Sequence, residues 1–323
     1  MFQPVDPVAF TLFGRDIYWY GILIAVAIVL AVVLTMWRFK KNRYSTDVVI
    51  DLALVLIPCA IIGARLFYVA FEWEHYAADP LSILYVWEGG LAIYGGIIGG
   101  VIATLIFCKV RGYKFGVFAD SIAPGLALAQ GIGRWGNYFN QEAFGYAVRD
   151  PRIINFPFLT VRIDRPHYVD GVLCMEPFHL ATFFYESVWN IAVFVVLMLY
   201  LRKKRPRGNA FALYMLLYGC GRAWIEGLRT DSLWLIPGVV RISQLLSVVI
   251  AVAGLGFFLW NSRKGKLGIG PVDDSGLPPY TSGEEKTGRR DSADVGHLTE
   301  QGWGAEREDG KPPQEAGEQK EED

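Results

Sequence analysis

The sequence predicts an all-α integral membrane protein of about seven transmembrane helices, with its N-terminus outside, its C-terminus cytoplasmic and a small external cap containing some β structure. Three observations carry this expectation. Hydrophobic residues make up 53% of the 323 and aromatics 14%, too apolar for a soluble domain of that length. Several apolar runs reach ~20 residues, enough to cross a hydrocarbon core of ~30 Å. The connections between the runs are alternately crowded with lysine and arginine and poor in them, the pattern of the positive-inside rule.

The runs cover about 18–37, 48–72, 91–110, 117–138, 180–201, 209–227 and 236–261. Residues 1–17 hold a single base, Arg15, beside Asp16. Without a basic n-region, the first run reads as mature sequence rather than a secretory leader. Arg38, Lys40, Lys41 and Arg43 follow the first run, and Lys109, Arg111 and Lys114 join the third and fourth. Five bases between Arg202 and Arg207 follow the fifth, and Arg263, Lys264 and Lys266 follow the seventh. Of the other connections, 73–90 has no lysine or arginine, 228–235 has only Arg229, and the long 139–179 has four scattered arginines. The external cap is expected in 139–179, where "FPFLTVRID" shows strand-like alternation after turn residues.

The chain divides at about residue 267. Residues 268–323 carry 15 acidic and six basic side chains, a net charge of −9, and their only aromatics are Tyr280 and Trp303. That composition predicts a disordered acidic tail, cytoplasmic by the charge rule. The membrane domain, 1–267, is correspondingly basic.

Cysteines 59, 108, 174 and 220 form no C-x-x-C pair, and histidines 75, 167, 179 and 297 never fall at metal-ligand spacing. Neither a G-x-S-x-G elbow nor a phosphate-cradling P-loop occurs. No metal, cofactor or nucleic-acid partner is therefore expected.

Polar residues converge on one layer once directions are assigned. At ~1.5 Å per residue, Arg65 lies ~26 Å from the inner end of its run, Arg134 ~25 Å and Arg222 ~20 Å. Glu142 follows the outer end of the fourth run, Tyr20 and Tyr94 open the first and third, and Glu186 sits in the first turns of the fifth. An intramembrane arginine costs ~2.5–3.5 kcal/mol on insertion scales. Three at one level invite a shared anionic partner, against the simpler reading of arginines snorkelling to headgroups. Tyr218, Arg222 and Glu226 are spaced i, i+4, i+8 and share a helix face, so Glu226 also serves as a counter-ion for Arg222. Gly95-x-x-x-Gly99 and Gly96-x-x-x-Gly100 predict close helix packing. Gly133 and Gly136, with Asn137 and Asn140, predict irregular backbone around a cavity. Asp120, near the inner end of the fourth run, reads as structural.

The stretch "GRWGNYFNQEAFG", Gly133–Gly145, closely resembles the signature of the bacterial phosphatidylglycerol–prolipoprotein diacylglyceryl transferase family, G-R-x-G-N-[FY]-x-N-x-E-x-x-G. Gly133, Arg134, Gly136, Asn137, Tyr138, Asn140, Glu142 and Gly145 match every fixed position. "YWYG", "GARLFYV", "WEGGLAIYGGIIGG", "ADSIAP", "TFFYES" and "YGCGRAWIEGLR" agree in order, so the resemblance covers about residues 10–265. It implies transfer of a diacylglyceryl group from phosphatidylglycerol, in the outer leaflet of the bacterial inner membrane, to the lipobox cysteine of a preprolipoprotein. A thioether forms and glycerol phosphate leaves. On that resemblance, Arg134 and Arg222 bind the lipid phosphate and stabilise the leaving group, and Asn137, Asn140 and Glu142 fix Arg134 and the headgroup. Tyr20 and Tyr218 line the site, with Gly145 closing the signature and Arg65, Glu186, Glu226 and Asp120 supporting it.

Two positions depart from the family pattern. Tyr94 stands where several members have histidine, and a neutral tyrosine, with a free pKa near ~10 against ~8.5 for a thiol, is a poor base. Tyr94 is expected to donate a hydrogen bond instead. "HLATFFYES" has Leu-Ala where members often have His-Pro, with His179 one residue earlier. The alternative readings are a transporter or channel for an anionic solute and a non-catalytic scaffold. The first predicts midplane polar residues and a repeated half, and neither is present in the sequence.

Overall fold

The computed structural model describes residues 1–265, apart from 78, 165, 170–171, 204, 231–233 and 237–239. The acidic tail expected at 268–323 lies outside the described residues. A hairpin comes first, β1 (Val8–Leu12) antiparallel to β2 (Arg15–Tyr18), with Gly14 at φ +75° in its turn. Then follow α1 (Trp19–Lys41), α2 (Asp47–Phe71), the short α3 (Trp73–Ala77), two 3₁₀ turns within 80–88, α4 (Ile93–Arg111) and α5 (Phe115–Asn140). After α5 come α6 (Pro151–Ile154), β3 (Thr160–Arg162), β4 (His167–Val169), β5 (Val172–Cys174) and β6 (Phe178–Leu180). The chain continues with α7 (Thr182–Tyr200), α8 (Asn209–Glu226), β7 (Trp234–Ile236), β8 (Val240–Arg241) and α9 (Ile242–Gly265).

Six of the long helices, α1, α2, α4, α5, α7 and α9, are long and apolar enough to cross a membrane. The seventh, α8, has 18 residues and stands where a span is predicted, but Asn209, Arg222 and Glu226 make it more polar. The fold is that of a helical integral membrane protein with small sheets. The last span begins at Ile242 rather than near 236, because Trp234–Ile236 pairs with Val240–Arg241 before the helix starts.

Among the described residues α1 lies along α5 and α2 along α4, and α5, α7, α8 and α9 follow one another in contact. The α2–α4 contact uses the predicted glycines. A Cβ on Gly95 would sit 2.3 Å from the Gly63 carbonyl, and one on Gly99 2.6 Å from the Cys59 carbonyl, so only glycine admits this approach. Gly96 and Gly100 meet only ordinary contacts at 3.5 Å or more. Phe39, Tyr44, Leu52, Phe107, Tyr113 and Phe118 join α1, α2, α4 and α5 at the end carrying the lysine-rich turns, hereafter the basic end. Leu197, Val193, Ala127 and Tyr214 fill the α5–α7–α8 core.

The opposite, cap end is tied to the N-terminus. Phe2 donates its N–H to the Thr160 carbonyl (2.8 Å), and the Arg162 N–H returns to Phe2 (2.9 Å). The Phe2 ring packs among Trp135, Tyr138, Phe183 and Phe184, with centroids 5.0–5.9 Å away. The strand expected in "FPFLTVRID" is β3, paired with β6. The irregular backbone expected at Gly133–Asn140 is absent: α5 stays helical to Asn140 and breaks at Gln141, in left-handed conformation (φ +50°). Gly136 serves side-chain packing instead, since a Cβ there would lie 2.5 Å from the Tyr20 ring.

Candidate functional site

Glu186 is the centre of the cap-end site. It lies one turn into α7, whose start is fixed by the Thr182 hydroxyl donating to the Ala143 carbonyl (2.6 Å). Ser187 donates to the Gly131 carbonyl (2.8 Å) and accepts from Trp135 Nε1 (3.1 Å), which holds α7 close against α5. The neighbouring Glu186 side chain is thereby buried, 4% exposed, and turned toward α5 and α8.

Three guanidinium groups meet it. Arg134 Nε is 2.7 Å from Glu186 Oε2, and Arg222 Nη1 is 2.7 Å from Oε1. Arg229 Nη1 lies 3.5 Å from Oε1. Arg222 also reaches Glu226 Oε2 at 2.7 Å, the i,i+4 pair expected from spacing. Arg229 Nε approaches the same oxygen at 4.0 Å. Arg241 donates from Nη1 to the Glu226 carbonyl and from Nη2 to the Tyr146 hydroxyl, the latter at 2.7 Å, with its guanidinium 4.8 Å above the Trp234 ring. Four arginines thus surround two glutamates among the described residues. Removing Glu186, which three of these guanidiniums share, costs about 3–5 kcal/mol, because its partners are left uncompensated.

Arg222 and Arg134 differ in commitment. Arg222 contacts two carboxylates, whereas Arg134 contacts Glu186 alone among the described residues, and its side chain keeps 20% of its exposure. Arg134 is therefore the more open of the two toward an incoming group.

The rest of the signature divides by role. Glu142 Oε1 accepts from Asn137 Nδ2 (3.0 Å) and Asn140 Nδ2 (3.3 Å), so the asparagines are organised by Glu142 and not by Arg134. Tyr20 lies on Gly136, and Tyr20 and Asn140 share the lining of an open groove of about 670 Å³ along the start of α1. Gly145 is a junction. Its N–H donates to Leu180 (2.9 Å), its carbonyl faces His179 Nδ1 (2.8 Å), and a Cβ would lie 2.8 Å from the Leu228 carbonyl. It carries the end of the signature between β6 and the 228–230 segment.

Other expected site residues stand apart. Arg65 shares no anion with Arg134 and Arg222; all five of its N–H donors face carbonyls, those of Ser82, Ile83, Tyr85, Gly89 and Gly90, at 2.7–3.4 Å. It fastens the segment leading to Tyr94, which is 36% exposed at the start of α4. Tyr218 stacks on Tyr214 one turn below Arg222, with centroids 5.6 Å apart. Asp120 is at the basic end, where its two oxygens accept the Gly208 and Phe211 N–H groups (2.6 and 2.9 Å) and cap α8.

Sequence reasoning overlooked Arg229, Arg241 and Tyr146. Arg229 carried a signal, lying i+3 from Glu226 in a connection otherwise without lysine or arginine. Arg241 had none, since it was read as part of the last span.

Comparison with known proteins places this arrangement. The family model for prolipoprotein diacylglyceryl transferase matches residues 7–260. The phosphatidylglycerol–prolipoprotein diacylglyceryl transferase of Clostridium novyi is 44% identical over 262 residues, 81% of this chain and 98% of that protein. The Bacillus velezensis protein of that name is 41% identical over 81% of this chain and 94% of its own length. The Pediococcus pentosaceus one is 39% identical over 87% and 96%. On this extent of identity, the chain belongs to the prolipoprotein diacylglyceryl transferase family and is a transferase of lipoprotein maturation.

Proposed function

We propose that the chain moves the diacylglyceryl group of phosphatidylglycerol to the lipobox cysteine of a preprolipoprotein, with the lipid phosphate bound at the Glu186 cluster. The observation that carries this reading is the charge count: guanidiniums 134, 222, 229 and 241 against carboxylates 186 and 226. Among the described residues this surplus of two positive charges suits a group whose own charge grows during reaction. A phosphodiester carries one negative charge. As the thiolate sulfur bonds to the glycerol carbon and the carbon–oxygen bond to phosphorus breaks, glycerol phosphate leaves as a monoester with charge approaching −2. Guanidinium forks held at that place stabilise the departing group more than the bound lipid, which lowers the barrier.

Arg134 is the first contact in this reading, because its side chain is partly open and singly paired. Arg222 and Arg229 hold Glu186 and supply field. The thiol's proton goes to Glu142: both asparagines bind its Oε1, and Oε2 makes no hydrogen bond among the described residues. Glu186 is unsuited to that task, with both oxygens against guanidiniums. Tyr94 donates a hydrogen bond to the headgroup, and the groove beside Tyr20 receives an acyl chain or the peptide. Alternating basic turns support the cap end facing outward, which sets the site in the outer leaflet of the bacterial inner membrane. The catalytic unit in this reading is 1–267.

Membranes holding the protein, phosphatidylglycerol and a lipobox peptide test the proposal. A thioether-linked diacylglyceryl cysteine is expected from the wild type and not from Arg134→Ala. Wild-type membranes that release no glycerol phosphate and form no adduct would refute it.

A further inference from the structure

A cationic cavity of about 450 Å³ lies at the basic end of the bundle. It is distinct from the Glu186 cluster: Asp120, on its wall, and Arg134 are 14 positions apart on α5, ~21 Å along the axis. Seven basic side chains line it. Arg38, Lys41 and Arg43 come from the end of α1, and Arg202, Lys203, Arg205 and Arg207 from the turn between α7 and α8. One carboxylate, Asp120, shares the lining, and its oxygens are taken by the N–H groups opening α8.

Arg38 distinguishes this place from an ordinary solvated basic turn. Its side chain is buried, 4% exposed, yet its Nε has no hydrogen-bond partner among the described residues. The carboxylate whose field acts on it, Asp120, lies beyond ion-pairing distance. The C-terminal dipole of α1 favours cations there, but it leaves this buried N–H donor, on a residue of the cavity wall, unsatisfied. Seven basic side chains around one engaged carboxylate, with a buried arginine among them, suit an anion with several acceptor oxygens.

We propose that this cavity binds the phosphate of an anionic phospholipid headgroup. The cavity opens at the ends of membrane-spanning helices α1, α5 and α7, at headgroup depth, and Tyr44, Val117 and Leu201 give its lining an apolar part beside the charges. With the basic turns inward, the lipid comes from the cytoplasmic leaflet, where anionic headgroups attract clustered lysine and arginine. The site serves as an anchor between α1 and the α7–α8 turn, and it does not depend on the catalytic reading.

The test is native mass spectrometry of the purified full-length protein titrated with phosphatidylglycerol, all variants carrying Arg134→Ala so that changes report the second site. Arg38→Gln is expected to weaken one phosphatidylglycerol-binding step about tenfold, and Arg202→Gln with Lys203→Gln to do the same from exposed positions that leave the fold untouched. Phosphatidylcholine should show no step that these substitutions alter. Unchanged phosphatidylglycerol affinity in both variants would overturn the proposal. So would millimolar inorganic phosphate displacing the lipid completely, which would make free phosphate the ligand. Appearance of the step only after removal of 268–323 would also overturn it, making the acidic tail the occupant.

Discussion

Arg65 and Arg134 lie at similar predicted depths in neighbouring parts of one membrane protein, and they are satisfied in opposite ways. Around Arg65, five backbone carbonyls absorb five donors, and Gly89 and Gly90, at φ +96° and +69°, curve the chain to present them. Around Arg134, satisfaction comes from charge: one shared glutamate, and, among the described residues, a cluster with more guanidinium than carboxylate. The first arrangement closes on itself and can only hold a loop. The second, on the proposed reading, is completed by the lipid phosphate. An intramembrane arginine is therefore a sign of function only when its donors are not already accounted for.

Substitutions can break this contrast, beginning with the largest expected effect. Glu186→Gln leaves three guanidiniums around a neutral group, and thermal unfolding in detergent should show a loss of about 3–5 kcal/mol. On the proposed reading Arg134→Ala removes a donor to the leaving phosphate, with about 10²- to 10³-fold less thioether product per minute and near-normal folding. Gly90→Ala puts a Cβ 2.3 Å from Arg65 Nη1 at a positive φ. It should cost about 1–3 kcal/mol of stability by the same unfolding measurement, and an unchanged transition would mean the clamp yields freely. Tyr94→Phe, just beyond the clamp, removes one neutral hydrogen bond and should lower turnover about 2- to 10-fold. Unaltered turnover would reduce Tyr94 to packing.

Much of this was legible in the sequence because the signals were physical and local. Apolar run length fixed the helices within a few residues, and the i,i+4 spacing of Arg222 and Glu226 foretold their pairing. Gly95 and Gly99 announced the α2–α4 contact. What depended on distant chain segments was not legible. Nothing near Arg65 says that residues 82–90 will fold over it, so it was grouped with the other deep arginines. Gly136 read as a helix breaker because its real partner, the Tyr20 ring, is over a hundred residues away. Arg241 was hidden inside an apolar run because a two-residue strand precedes α9. The signature's asparagines were assigned to Arg134, yet the carboxylate five and two residues onward holds them.

The most direct measurement sets the two arginines against each other: diacylglyceryl transfer per folded molecule in Arg134→Gln and in Arg65→Lys. Lysine offers three donors to five carbonyls, so Arg65→Lys should lower the folded fraction while each folded molecule keeps turnover within about threefold of wild type. Arg134→Gln should fold in normal amount and lose about a hundredfold or more in turnover. Normal turnover per folded Arg134→Gln molecule, with turnover lost in folded Arg65→Lys, would contradict the assignment of phosphate binding to the Glu186 cluster.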